Sequence, residues 1–210
     1  GNDFPNLRSF AERALAAGVD GITVHPRPDE RHATRRDVRE LAALLRDKRQ
    51  VEFNVEGNPS EEFLALVCEV RPDQCTLVPD APGQLTSDHG WDMIRDGARL
   101  IPIVKRLKEH GIRVSVFADA SLPQIAAAPA TQTDRIELYT EPYARSSGTP
   151  NENACLETFR CATAEARRLG LGVNAGHGLN YTNVAAFAAI NEIDEMSIGH
   201  SIIARGAFVG

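Results

Sequence analysis

This 210-residue chain contains no CxxC pair, no apolar run long enough to span a bilayer and no excess of basic charge. Each absence removes a class. Cys68, Cys75, Cys155 and Cys161 stand apart, as buried reduced thiols of a cytoplasmic protein would, rather than as a disulfide framework or a zinc site. The longest apolar stretches fall short of a membrane span, and no signal-peptide pattern opens the chain. Acidic residues number 29 against 23 basic ones, a formal net charge of −6. A general nucleic-acid binder is usually basic, although a local basic pocket for a phosphate is still allowed. No HxH or HExxH spacing announces a metal. No linker, low-complexity tract or compositional break divides residues 1–210, which read as a single domain. The first residue is Gly1, so a further N-terminal segment is expected.

What is present is a recurring unit. Residues 10–25 (FAERALAAGVDGITVH), 106–119 (RLKEHGIRVSVFAD) and 164–177 (AEARRLGLGVNAGH) each run helix, glycine, strand. Apolar residues at helical spacing end at a Gly, and a β-rich run follows. Leu7, Phe10, Ala11, Ala14 and Leu15 form the helical stripe of the first copy, and Pro5 suits its first turn. Seven β-type runs are predicted, near 21–25, 51–56, 75–79, 113–119, 135–140, 172–176 and 196–199. Helical patterns lie around 36–47, 60–70, 92–110, 121–128, 152–169 and 181–190. Such alternation predicts right-handed βαβ units and a parallel sheet. The fold class expected is α/β, a (β/α)8 TIM barrel with its first strand and last helix missing from the chain. An open doubly wound sheet is the alternative, weakened because no GxGxxG follows the first strand.

Strand parity points to function. Side chains alternate faces, so Val51, Phe53 and Val55 oppose Glu52, Asn54 and Glu56. Ile22 and Val24 oppose Thr23 and His25, and Val114, Val116 and Ala118 oppose Ser115, Phe117 and Asp119. Ile136 and Leu138 oppose Glu137 and Tyr139, and Met196 and Ile198 oppose Ser197 and Gly199. One face is apolar throughout and the other is polar. A structural barrel fills its interior with Val, Ile and Leu, and a parallel sheet covered on both sides reads apolar throughout. Buried carboxylates without partners are costly, so Glu52, Glu56 and Glu137 point to a wet functional cavity. The competing explanation is an internal ion-pair network. Four of the six histidines (His25, His32, His177, His200) fall at or just after strand ends, where barrel active sites lie.

Six stretches taken together resemble one family: GITVHPRPDERH, NVEGNP, LVPDAPGQLTSDHGWD, RIELYTEPYA, VNAGHGLNYTN and MSIGHSIIARG. They occur in order across essentially the whole chain, and the family is that of pyridoxine 5′-phosphate synthase. The resemblance implies a (β/α)8 barrel with extra helices, assembled as a homo-octamer in the cytoplasm. It implies a transferase that condenses 1-deoxy-D-xylulose 5-phosphate with 3-amino-2-oxopropyl phosphate, yielding pyridoxine 5′-phosphate, inorganic phosphate and water. No organic cofactor and no metal is implied. His25 and Glu56 would be proton acceptors, His177 a proton donor and Glu137 the group that stabilises the transition state. Arg27, His32 and Thr86 would contact deoxyxylulose phosphate. Gly178, Gly199 and His200 would contact the amino-ketone phosphate. The family's first strand and an early phosphate-binding arginine would lie before Gly1, and the chain is read as the ordered part of a longer protein.

The chemistry suits these residue types. Joining an amine to a ketone, expelling phosphate and closing an aromatic ring takes repeated proton transfers and no redox step. Histidine titrates near neutrality and serves in both directions. Two phosphorylated substrates need two anion sites, and loops after late barrel strands are a recurrent one. The QLTSDHGW loop is long and polar enough to act as a lid. Two rivals differ in class: a metal-dependent barrel hydrolase or aldolase using His25, Glu56 and His177, and a non-catalytic phosphate-binding scaffold.

Overall fold

The structure is a computed structural model that describes residues 6–81 and 83–209. Pro5 lies outside the described residues. Contacts gather the chain into two compact units, one of residues 1–86 with 105–114, the other of residues 87–104 with 115–210.

The first unit opens with helix α1 (Leu7–Ala16), whose N-cap Asn6 accepts a hydrogen bond from the Ser9 amide at 2.9 Å. Strand β1 (Gly21–Val24) leads to α2 (Arg35–Leu45), where Thr34 and Asp37 form a complete capping box. Strand β2 (Glu52–Gly57), α3 (Glu61–Val70) and β3 (Gln74–Leu77) follow. Ile22 pairs with Phe53, and Val24 with Val55, which pairs with Cys75. On the opposite face Thr23 pairs with Asn54, Asn54 with Gln74, and Glu56 with Thr76. Val38, Leu41 and Leu45 of α2 are buried, which is where the apolar stripe of an amphipathic helix belongs.

Helix α4 (Met93–Glu109) and strand β4 (Arg113–Ala118) carry residues of both units. The second unit continues through α5 (Leu122–Ala127), β5 (Arg135–Tyr139), α6 (Glu141–Ser146), α7 (Glu152–Arg168), β6 (Gly172–Gly176), α8 (Val184–Ala188), β7 (Glu195–Ser197) and α9 (His200–Val209). Val116, Ile136 and Val173 pair in register, as do Leu138, Ala175 and Met196. The first five of these six are fully buried. Tyr143, Phe159 and Phe187 form an aromatic cluster with centroids 5.1 to 6.4 Å apart. On the opposite face Phe117, Glu137, Asn174 and Glu195 pair in register, polar but for Phe117.

The strands follow one another in the sheet in chain order, β1 to β7. A doubly wound sheet would reverse its order at a switch point, and none occurs among the described residues, so the fold is of the (β/α) TIM-barrel kind. Gly18, Gly111 and Gly170 end the helices of the three recurring units with φ of +86°, +77° and +81°. These are left-handed values that end helices cheaply only at glycine.

Two elements differ from expectation. The sequence pattern predicts no helix over residues 200–209, yet they form α9. That segment has no alternation to favour a strand, and Ala204 and Ala207 favour helix. Helix α6 is likewise absent from the predicted elements; Pro142 lies in its first turn, a position that proline pre-organises.

Candidate active site

In the first unit, β1 runs out at Val24 and the chain continues through His25, Pro26, Arg27 and Pro28. Alternating prolines fix φ and push their neighbours toward extended backbone, which presents His25 and Arg27 from a stiff segment. The His25 ring lies between two carboxylates. Its Nδ1 is 3.8 Å from Glu56 Oε2, and its Nε2 is 3.7 Å from Asp80 Oδ2. Glu56 comes from the C-terminal end of β2, and its Oε1 accepts from Asn54 Nδ2 at 3.3 Å. Asn54 in turn accepts from Thr76 Oγ1 at 3.2 Å and donates to Thr23 Oγ1 at 3.4 Å. A buried amide thereby ties Glu56 to both neighbouring strands.

Arg27 is buried, 6% exposed, and its Nη1 donates to Asp80 Oδ2 at 2.9 Å and to the Gln84 carbonyl at 3.3 Å. Arg31 donates to the carbonyls of Gln84 and Leu85 at 2.5 and 2.9 Å. Two arginines after β1 therefore hold the loop that carries Thr86, whose side chain is exposed. His32 is exposed as well. Desolvation, then the charges of Arg27 and Arg31, hold its imidazole below the ordinary histidine value, so its neutral form is favoured. Burial, and then the Glu56 charge, push the Cys75 thiol far up. Cys75 is thus an inert core residue, not a nucleophile.

In the second unit, Glu137 of β5 is 3% exposed and sits on the polar face opposite Asn174. Gly176 is needed beside it, because a Cβ there would stand 2.4 Å from Glu137 Oε1. The chain then turns through His177 at φ +81° and Gly178 at φ +72°. A left-handed histidine is strained by about 1–2 kcal/mol, and such residues gather at functional sites. Thr140 Oγ1 donates to the Gly176 and His177 carbonyls at 2.6 and 2.5 Å, which fixes the turn. The His177 ring packs against Phe117 and Tyr139 with centroids 5.6 and 5.4 Å away. Burial, then Glu141, raise the Tyr139 hydroxyl above the ordinary phenol range, so it stays protonated.

A Cβ at Gly178 would meet Glu141 Oε2 at 2.4 Å and Ala144 Cβ at 2.7 Å. Asn183 Nδ2 donates to the Gly178 carbonyl at 3.1 Å, and the Asn180 side chain caps Thr182 and Asn183. The asparagines that follow GHG therefore build the loop. Ser201 Oγ donates to the Leu179 carbonyl at 3.1 Å, holding the loop after β6 to the start of α9. Gly199 and His200 stand at that start, both exposed, and a Cβ at Gly199 would meet nothing within 4 Å.

The polar face has two levels in each unit. At the strand starts, carboxylates serve structure. Glu52 is bonded to Arg113, which also donates to Gln74 Oε1 at 3.0 Å. Arg135 donates to Asn174 at 2.9 Å and to Glu195 at 3.2 Å. Of the expected catalytic groups, His25, Glu56 and His177 lie at or next to strand ends, while Glu137 is the middle residue of β5. Glu52 is therefore corrected from a cavity residue to half of an ion pair. Among the described residues, no group of three or more His, Cys, Asp or Glu side chains is placed to hold a metal ion.

Comparison with known proteins gives this arrangement a family. The profile described as "Pyridoxal phosphate biosynthesis protein PdxJ" matches residues 1–210. This chain belongs to the PdxJ family. It is 46% identical to the pyridoxine 5′-phosphate synthase of Porphyromonas gingivalis, over 100% of this chain and 87% of the relative. It is 50% identical to that of Mesorhizobium japonicum, over 96% of this chain and 83% of the relative. Solved structures repeat the fold alone. A putative phosphonomutase from Burkholderia cenocepacia superposes with a TM-score of 0.61 at 15% identity, covering 96% of this chain and 89% of that one. Phosphoribosyl anthranilate isomerase from Thermus thermophilus gives 0.61 at 15%, covering 93% and 84%.

In this PdxJ-family chain, the first unit gathers His25, Arg27 and Glu56, and the second gathers Glu137, His177 and Gly178. Sequence reasoning missed Asp80, which ends up against both His25 and Arg27. It stands three residues past β3 in the LVPD stretch. The criterion that singled out histidines at strand ends would have found it had carboxylates been included.

Proposed function

We propose that this chain is a pyridoxine 5′-phosphate synthase. It condenses 1-deoxy-D-xylulose 5-phosphate with 3-amino-2-oxopropyl phosphate to give pyridoxine 5′-phosphate, inorganic phosphate and water. It works as a cytoplasmic homo-octamer without organic cofactor or metal. His25 and Glu56 accept protons, His177 donates one, and Glu137 stabilises positive charge that develops on nitrogen. Arg27, His32 and Thr86 hold deoxyxylulose phosphate, and Gly178, Gly199 and His200 hold the amino-ketone phosphate.

The observation that carries this reading is the first unit's constellation. An imidazole stands between the carboxylates of Glu56 and Asp80, beside a buried guanidinium whose Nε–H has no hydrogen-bond partner among the described residues. A proton-transfer pair beside an unmet buried donor suits an anionic substrate that must lose protons. The second unit supports it. His177 occupies a strained turn, and α9 begins at His200, so its positive N-terminal end lies beside Gly199, where a phosphate would be favoured.

The test is turnover of both phosphorylated substrates, with the pyridoxine ring followed by its absorbance. Glu56→Gln is expected to fold normally, to bind inorganic phosphate as the parent does and to lose at least about 100-fold in kcat. Near-normal turnover by that variant, or no ring formation by the parent, overturns the assignment.

A further inference from the structure

Asp80 has no part in the chemistry proposed for this chain, yet it is the residue on which the first unit's groups converge. Its Oδ2 is 2.9 Å from Arg27 Nη1 and 3.7 Å from His25 Nε2, and its side chain is 5% exposed. Arg27 is equally buried, so this pair is shielded from water and its geometry is restrained. The Nη1 edge of the guanidinium is taken up by Asp80 and the Gln84 carbonyl. The Nε edge is buried and unmet.

We propose that Asp80 is the positioning residue that couples anion binding to proton transfer: it turns the Nε edge of Arg27 toward the substrate phosphate and holds His25 opposite Glu56. The proposal rests on the roles of His25 and Arg27 in the proposed function. Two consequences follow from charge. First, a phosphate on the Nε edge of Arg27 lies near the Asp80 carboxylate, so like charges repel and the anion is held loosely enough to leave. Second, His25 has a negative charge on each side. Loss of the Asp80 charge removes one of the two carboxylates that flank its ring.

The readout is a split between binding and turnover. Asp80→Asn keeps shape and removes charge. It is expected to bind inorganic phosphate about three- to tenfold more tightly, to show a KM for the Arg27-held substrate that falls in parallel, and to lose at least about tenfold in kcat. Asp80→Glu restores the charge and is expected to recover most of the turnover with parental phosphate affinity. A residue that only braced the fold would weaken phosphate binding and lower Tm together. Phosphate affinity that is unchanged or weaker in Asp80→Asn, or a kcat within about twofold of the parent, overturns the proposal. Should Asp80→Asn fold poorly, Asp80→Ser, smaller and neutral, carries the same expectations. Phosphate titration by calorimetry needs no turnover, so it decides the role of Asp80 even if the parent forms no pyridoxine phosphate. That last result would overturn the proposed function separately.

Discussion

Three glycines separate the two penalties that shape the turn at His177. Gly170 has φ +81°, and a Cβ there would meet nothing within 4 Å, so Gly170→Ala carries backbone strain alone. Gly176 has no positive φ, but its Cβ would stand 2.4 Å from Glu137 Oε1 and 3.5 Å from Glu137 Cδ, so Gly176→Ala carries a clash alone. Gly178 combines φ +72° with contacts of 2.4 Å to Glu141 Oε2 and 2.7 Å to Ala144 Cβ. Left-handed strain costs a residue with a Cβ about 1–2 kcal/mol. Overpacking costs about 1–3 kcal/mol. Alanine also narrows the unfolded ensemble, which returns about 0.4–1 kcal/mol in every case. The expected net losses are therefore about 1 kcal/mol or less for Gly170→Ala, about 1–2 for Gly176→Ala and about 2–4 for Gly178→Ala.

Urea and thermal unfolding measure these stability losses, and kcat measures the effect on turnover. At about 2–4 °C per kcal/mol for a chain of this size, Gly178→Ala melts roughly 4–16 °C below the parent. Activity is expected to rank differently. Gly170→Ala keeps kcat, because it lies at the far end of β6 from the turn. Gly176→Ala loses at least about tenfold, because Glu137 is 3% exposed and its carboxylate has no solvent to swing into. A Gly176→Ala protein with parental kcat and parental stability would show that the Glu137 carboxylate does not pack on that Cα. It would remove the steric reason for the first glycine of GHG.

Two further outcomes are accessible in solution. His32 should titrate below the ordinary value of 6.5 in an NMR pH series, and Arg27→Gln should move the midpoint upward; a midpoint at or above that value sinks the account. Because its folded value is depressed, the unfolded chain binds more protons in the window between the two. Stability tied to His32 is therefore present above the ordinary value and lost as pH falls through that window. Brief iodoacetamide treatment of the native protein should label the exposed Cys161 and spare Cys75 until urea is added, read by peptide mass spectrometry; early labelling of Cys75 would contradict its burial.

Much of the fold was legible because local signals agreed with one another. The three helix–glycine–strand units ended at Gly18, Gly111 and Gly170, and all three adopt the left-handed φ that only glycine takes cheaply. Strand parity was legible for the same reason: period-two alternation has one reading once a face is buried. The predicted runs at 51–56 and 135–140 fall within a residue of β2 and β5. Short helices were less legible. Helix α6 is six residues long, too short for an apolar stripe to declare itself. Asp80 was hidden for another reason. Its place just past a predicted strand marks it as a strand-end residue, but its neighbours His25 and Arg27 lie more than fifty residues away, and no local pattern names them as its partners.

Glu52 and Glu56 mark the limit of a parity argument. They stand on one strand, on one face and four residues apart. Parity gave them one environment, and two explanations were open for such carboxylates, a wet functional cavity or an ion-pair network. The ion pair is present at one height, and at the other a histidine faces the carboxylate. At the start of β2, Glu52 meets Arg113, the first residue of β4. At its end, Glu56 meets His25 and the Asn54 amide. A parallel strand rises about 3.3 Å per residue, so four residues separate the two carboxylates by about 13 Å. The Arg113–Glu52 ion pair therefore sits at the opposite end of β2 from the His25–Glu56 contact. The period of two assigns a carboxylate to a face. Its height along the strand, which depends on what the neighbouring strands present at that level, decides whether it is braced by an arginine or set against a histidine.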